Sequence, residues 1–382
     1  MCIRDRCAFG RSGLLCGMCQ PHLSLSLASS QCIRCPSYWP ALFVVIIVSA
    51  FLAGILLVSV FLLLNLTVAT GTLNGLIFYV NVVAANHSVL LPFKQPQVPT
   101  VFIDWLNLDI GFDVCFFKHM DAYTKMWLQF IFPTYVILLV LIVIFISEHS
   151  IRFSRLIGRK NPVATLATLI LLSYAKLLHN IIGALSFAVL KYPNGTHEIV
   201  WRPDATVKYL RGKHIPLFLA AVVILILGII YTVLLFSWQW LLKFSHKKFL
   251  KWVHNTKLSS FMDAYNAPYC PKYRYWTGLL LFTRALLYLT SSINVSSEPS
   301  INLMAVIIVV VFLLFLKGHH LYKIWFINII EDLFYLNLII FSVAKFFVLQ
   351  TEGNHTLLAY ICLLYTSPSP RDATLSRMPS SA

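Results

Sequence analysis

Charge is what this sequence has least of. Asp, Glu, Lys and Arg together make up 12% of 382 residues, about half their share in an ordinary soluble domain. Acids are the scarcer sign, with 14 against 30 Lys and Arg. Apolar residues reach 59% and the mean hydropathy is +0.78, so there is too little polar surface to cover the rest in water. Lipid must take what water cannot. The motifs of common enzymes are missing too: no G-x-S-x-G elbow, H-E-x-x-H zinc site, P-loop or Gly-rich dinucleotide turn occurs. Glu331 and Asp332 are the paired acids, and they stand about 100° apart on a helix, a poor start for acid–base catalysis. His319 and His320 are adjacent residues of a helix-joining turn and suggest no metal. The expectation is neither an enzyme nor a carrier of cofactor or metal, and no nucleic-acid partner, because the basic excess belongs to membrane loops.

Both ends look foreign to the rest. Residues 1–6 (MCIRDR) and the stretch through Ala382 that follows Cys362 resemble translated sequencing-adapter read-through. They hold four of the basic and two of the acidic residues, so the formal +16 falls to +14 without them. The expectation is an internal fragment, with 1–6 and 362–382 set aside.

Crossing about 30 Å of hydrocarbon takes roughly 20 apolar residues in a helix. Segments 41–64, 123–147, 162–190, 215–242, 277–293 and 301–317 qualify, as does 325–349 apart from a few polar groups, and an eighth begins at Leu357. Segment 66–86 is interrupted by Asn74, Gly75 and Asn81, so it reads either as a span or as a re-entrant, cavity-lining helix.

Orientation follows from two signals. Arg152, Arg155, Arg159 and Lys160, then Lys243 through Arg274, then Lys317 and Lys323 mark three loops as cytoplasmic. Sequons at Asn194, Asn294 and Asn354 fall in the intervening loops, and Asn86 in the outer loop before them, which makes these four the candidate glycosylation sites. This topology places the N-terminus outside, in a plasma-membrane protein.

Residues 7–35 carry Cys7, Cys16, Cys19, Cys32 and Cys35. C-x2-C, twelve residues, C-x2-C is close to zinc-ribbon spacing; the competing reading is an extracellular module stapled by disulfides through Cys16, Cys19, Cys32 and Cys35. Cys7 then needs a partner upstream or belongs to the artefact. Cys115 falls outside and Cys270 inside, so these two cannot pair.

The runs GRSGLLCGMC…CIRC, NGLIFYVNVVAAN (74–86), FIDWLNLDIGFDVCFFKHMDAYTKMWLQFIFP (102–133), NPVATLATLILLSYAKLLH (161–179), YLRGKHIPLF (209–218) and FMDAYNAPYCPKYRYWTGLLL (261–281) resemble a family of large cell-surface proteins. Its members place a long repeat-rich or cysteine-rich ectodomain before a C-terminal multipass domain. The resemblance spans roughly residues 10–360 and implies architecture and an outside N-terminus, without a biochemical role. A fainter similarity to TRP-like multipass proteins implies the same polarity.

Charge inside a membrane is disfavoured by about 2.5–3.5 kcal/mol per group, which makes it a candidate site. Arg284 lies eight residues beyond Trp276, about 12 Å into its helix, and Glu331 lies eight beyond Lys323. Equal depth predicts an Arg284–Glu331 pair, with Asp332 as the substitute partner. Asn328, Glu331, Tyr335, Ser342 and Lys345 share one face of their helix. Thr165, Ser173, Lys176, His179, Asn180 and Gly183 share one side of another. Such stripes either staple helices together or line an aqueous path.

The loop KFSHKKFLKWVHNTK places Lys243, Lys247, Lys248 and Lys251 among aromatics, the pattern of a helix lying on anionic inner-leaflet headgroups; a calmodulin-type partner reads the same pattern. The Tyr- and Pro-rich half that follows is expected to pack under the bundle. Altogether the sequence predicts an all-α, polytopic bundle of seven to eight spans over 38–361 with a short extracellular Cys-rich stub at 7–37. Its partners are membrane lipids, with a homo-oligomer allowed. The expected role is that of the membrane domain of a receptor- or adhesion-type surface protein. A TRP-like channel or transporter is the alternative.

Overall fold

A computed structural model describes residues 7, 10–13, 16–27, 31–35, 39–86, 115–116, 118–150, 152, 161–191, 196–244, 257–294, 299–318 and 320–350. Two small antiparallel hairpins come first, β1 (Arg11–Ser12) with β2 (Met18–Cys19) and β3 (Leu23–Leu25) with β4 (Cys32–Arg34). Then follow α1 (Trp39–Leu63), a 3-10 turn (Val68–Thr70), α2 (Thr72–Ala85), α3 (Ala122–His149) and α4 (Pro162–Leu185). A three-stranded sheet, β5 (Phe187–Lys191), β6 (His197–Trp201) and β7 (Asp204–Lys208), interrupts the helices. The chain continues with α5 (His214–Phe244), α6 (Lys257–Asn266), a 3-10 turn (Pro271–Tyr273), α7 (Trp276–Asn294), α8 (Pro299–Lys317) and α9 (Trp325–Gln350).

Six of these helices, α1, α3, α4, α5, α8 and α9, are long and apolar enough to cross a membrane. Their outward faces carry large apolar side chains such as Val45, Leu56, Phe145, Leu227, Phe315 and Ile340, all exposed, as lipid-facing surfaces must be. Among the described residues, length and composition thus support six of the expected seven to eight spans. Helix α7 has its 19 residues diluted by Thr283, Arg284 and a Thr-Ser-Ser run, and α2 is only 14 residues long. The chain nonetheless runs back and forth between two ends, which we call the cap and the base. Gly71, just before α2, packs against Pro268 and Tyr322 at the base, while at the far end of α7 the Ser292 carbonyl accepts from Arg202 beside the sheet.

The sheet corrects two expectations. Segment 162–190 is not one span: α4 stops at Leu185, Ser186 takes extended backbone, and the β-prone run Phe-Ala-Val-Leu enters β5. The fold is thus mostly helical with a β cap, and not all-α. The cap is bonded to the free carbonyls that any helix leaves at its C-terminus. Trp201 Nε1 donates to Gly183 O (3.0 Å) and the Tyr209 hydroxyl to Leu185 O (2.8 Å). His214 Nδ1 accepts from the Leu210 amide, so its Nε2 carries the proton and donates to Ala184 O at 3.1 Å. Burial raises the Tyr209 phenol above its ordinary pKa, which keeps it a donor.

Disulfides complete the cap. Cys7 pairs with Cys16, Cys19 with Cys32, and Cys35 with Cys115. All four cysteines of the zinc-like spacing are thus engaged as disulfides, and Cys7 finds its partner inside the chain, contrary to expectation. Cys35–Cys115 ties the stub to the segment leading into α3. The Leu25 amide donates to Met120 O (3.2 Å) and the His119 amide to Ser24 Oγ (2.7 Å) across the same seam.

Within the bundle α4 is the most enclosed of the six, and its start is fixed by Asn161, whose Oδ1 accepts from the Val163 and Ala164 amides ahead of a favourable Pro162. Helices α5 and α7 meet backbone to backbone at Gly278, where a Cβ would lie 2.6 Å from Phe236 N. Small residues at such crossings let membrane helices approach when no hydrophobic drive separates them from lipid.

Candidate functional site

The base of the bundle holds the densest group of buried polar side chains. The turn between α8 and α9 is short, so the last residue of α8, Lys317, comes back against the first turns of α9. Lys317 Nζ donates to Asp332 Oδ1 (2.7 Å) and to Asn328 O (2.8 Å), and it lies 3.3 Å from Glu331 Oε2 as an ion pair. Both Lys317 and Glu331 are 1% exposed, whereas the Asp332 side chain is 47% exposed. The other Glu331 oxygen accepts from the hydroxyls of Tyr335 (2.9 Å) and Tyr322 (3.1 Å). Asn328 closes the turn, its Oδ1 accepting from the Tyr322 amide and its Nδ2 donating to Tyr322 O.

Two more segments join this cluster. Asn74 of α2 donates to the Tyr269 hydroxyl (2.9 Å), and Tyr269 stacks on Tyr322 at 5.0 Å between ring centres. Gly75 faces Glu331 so closely that a Cβ would stand 3.2 Å from its Cγ. The 267–270 connector is strapped to the turn by backbone bonds, Cys270 N to Leu321 O and Lys323 N to Pro268 O. Burial, followed by the Glu331 charge, pushes the Tyr269 and Tyr322 phenols well above their ordinary range, so both stay neutral and Tyr322 keeps the proton it donates to Glu331. As expected, the Tyr-rich connector packs under the bundle, with the Tyr265 hydroxyl donating to Ala167 O.

The predicted Arg284–Glu331 pair does not form. Equal depth fixes height but not azimuth, and the short turn gives Glu331 a nearer cation. Arg284 is 1% exposed and its Nε and Nη1 have no hydrogen-bond partner. Its guanidinium lies over the Phe78 ring, 5.6 Å from the centroid, and Phe78 stands edge-on to Tyr335 at 5.6 Å. One aromatic ring thus separates the free cation from the paired acid's partner.

Of the α9 stripe, Asn328, Glu331, Tyr335 and Ser342 are buried, whereas Lys345 is half-buried. On α4, Thr165, Ser173, Lys176 and Asn180 are buried, but His179 is exposed and leaves the stripe, its ring 6.4 Å from that of Tyr288. Ser173 and Thr165 donate to carbonyls one turn back, a common sink for hydroxyls inside apolar helices. Asn180 is fully buried with both amide atoms unpaired. Asn86 is 2% exposed and its Nδ2, the atom a glycan would occupy, donates to Val82 O, so glycosylation there requires the side chain to turn out. Asn294 ends α7; its side chain, Asn194, Asn354, and the side chains of Lys243, Lys247, Lys248 and Lys251 lie outside the described residues, as do Leu357 and all of 100–114. Among the described residues no group of three metal-ligating side chains occurs.

Lys317, Tyr269 and Tyr322 are the functional candidates that sequence reasoning missed. The available signal was the turn length: fifteen residues separate Lys317 from Asp332, with only Gly318 to Ile324 between the two helices.

Fold and site together define a polytopic helical membrane protein with a disulfide-bonded cap. Comparisons with protein families, with curated proteins and with solved structures find no match to this chain.

Proposed function

We propose that this chain is the multipass membrane domain of a large cell-surface protein of receptor or adhesion type, with the cap outside. The observation that carries this reading is the closed base cluster. Its acid, Glu331, is held by a cation and two phenols at 1% exposure, as a structural keystone requires and an aqueous path does not. The Cys35–Cys115 link and the Ser24–His119 bond support the rest, since they fix the cap rigidly to the head of α3. In this reading α2, lengthened by its 3-10 turn, and α7 complete eight passes, so that the start of α1 and the end of α9 face the same side. Anionic inner-leaflet lipid holds the basic run after α5, and homo-oligomers form through the exposed apolar faces.

The second reading, a channel or transporter, is favoured by Arg284 and Asn180, buried with polar atoms unpaired. Thiol accessibility separates the two. Cys placed singly at Lys176, Arg284 and Glu331 should resist a water-soluble methanethiosulfonate reagent in intact cells, while Cys at His197 in the cap reacts. Modification of the three bundle positions from either side would favour the path. Reaction of the His197 position only in permeabilised cells would place the cap inside and overturn the proposed orientation.

A further inference from the structure

Successive side chains of a strand point to opposite faces, and directly paired residues share a face. In the cap sheet Phe187 and Val189 of β5 pair with Trp201 and Ile199 of β6, so these four stand on one face. Glu198 and Lys208 stand on the other, joined as an ion pair at 2.8 Å. The sheet is therefore amphipathic. Its apolar face changes surroundings along its length. At the root Trp201 is fully buried with Leu217 and Ala221 of α5, and it donates to the end of α4 at Gly183 O. Two residues farther along, Ile199 is 51% exposed, and across the ladder Val189 is 50% and Phe187 57% exposed. The face that closes over the helix ends thus continues beyond them.

This overhang has no border with the lipid-facing side of α5. The Phe187 ring is 5.6 Å from that of Tyr209, which in turn stands edge-on to Phe218 at 6.1 Å. Phe218 adjoins Leu219, and Ile215, Leu219 and Val223 recur one turn apart on α5, all exposed. In the apolar core of α5, 11% is buried in the protein, so lipid covers most of that helix. The turn between sheet and helix adds exposed Leu210 with exposed Arg211 and Lys213. Aromatic rings gather at headgroup level, and long basic side chains reach from apolar surface to the polar layer there.

We infer that the apolar face of the β5–β6 hairpin rests on the bilayer, with Phe187, Val189 and Ile199 seated between headgroups and acyl chains beside α5. Lipid is the occupant because the patch continues a surface that lipid already covers. Seated in this way, the hairpin fixes the height of the cap above the hydrocarbon. The inference rests on the membrane-crossing helices and not on which side of the membrane the cap occupies.

The test places a nitroxide at Val189→Cys, Ile199→Cys or Lys208→Cys, one at a time, in the full chain with Cys2, Cys270 and Cys362 replaced by Ser. In phosphatidylcholine nanodiscs, collision with oxygen, which concentrates in lipid, is compared with collision with a water-soluble nickel chelate. Oxygen should exceed nickel at 189 and 199, and the order should reverse at 208 on the polar face. Nickel ahead of oxygen at 189 and 199 would show a face open to water and overturn the inference. Low collision with both reagents would also overturn it, because protein then covers the face. Dipolar broadening between labels would identify that cover as a second copy added along β5, an edge strand. Its absence would assign the cover to another segment of the same chain.

Discussion

Lys317 and Arg284 are both buried to 1% exposure in one bundle, yet their surroundings are opposite. Lys317 sits at a helix end among two carboxylates and a carbonyl, with every charge answered. Arg284 sits near the middle of α7 with an aromatic face below it and two nitrogens unpaired. Taking a charge out of water costs several kcal/mol per ion, and only a partner in good geometry returns that energy. Lys317 therefore holds structure together, whereas Arg284 is a burden that the rest of the bundle offsets. Position in the chain explains the difference. A short turn delivers Lys317 to Glu331 automatically, but nothing in the chain's connectivity delivers an acid to Arg284.

The largest expected effect comes from breaking the satisfied side of this comparison. Lys317→Met leaves Glu331 buried without its cation and should cost about 3–5 kcal/mol in unfolding experiments in micelles. Adding Glu331→Leu to that variant should recover most of the loss, because the orphaned charge is then removed as well.

At the other end, stability rests on covalent closure. Cys35 and Cys115 are 80 residues apart, so Cys35→Ser should cost about 4 kcal/mol under the loop-entropy account. Reducing agent, which also opens Cys7–Cys16 and Cys19–Cys32, should bring the wild-type and variant Tm values together, with the larger fall in the wild type. A cap that stays bonded to Gly183, Ala184 and Leu185 after this change would unfold separately from the base.

Much of this was legible in the sequence. Long apolar runs announced the six helices because lipid leaves no other solution for the backbone. The α9 stripe was also legible, since a helix rotates about 100° per residue whatever surrounds it. Pairing was not. Depth matching named Arg284 for Glu331, but azimuth depends on how α2 wedges Phe78 between α7 and α9. The sheet was missed for a related reason: Phe187 to Leu190 continues the apolar pattern of α4, and only Ser186 and the Pro-Asn-Gly sequence at 193–195 hint that the chain has left the helix. The Cys7–Cys16 pair was hidden because Cys7, the odd fifth cysteine, was given either a partner upstream or a place in the foreign end.

A smaller effect, read as a slope, sharpens the base cluster further. Tyr265, Tyr269 and Tyr322 have phenol pKa values raised by burial, above the ordinary value near 10 that they regain on unfolding. Their contribution is fully present below pH 10 and is lost as pH rises beyond it, because the unfolded chain ionises first. Stability should be flat from pH 7 to 9 and fall above 10, by up to about 1.4 kcal/mol per phenol per pH unit. Tyr322→Phe should make that fall shallower.

The measurement closest to the central claim sets Arg284→Met beside Lys317→Met in the same micelles. If Lys317 is a keystone and Arg284 an unanswered charge, the first substitution leaves stability unchanged or raises it, while the second lowers it by several kcal/mol. A loss at Arg284→Met as large as that at Lys317→Met would contradict the account, since it would mean that Arg284 has a partner of comparable strength inside the bundle.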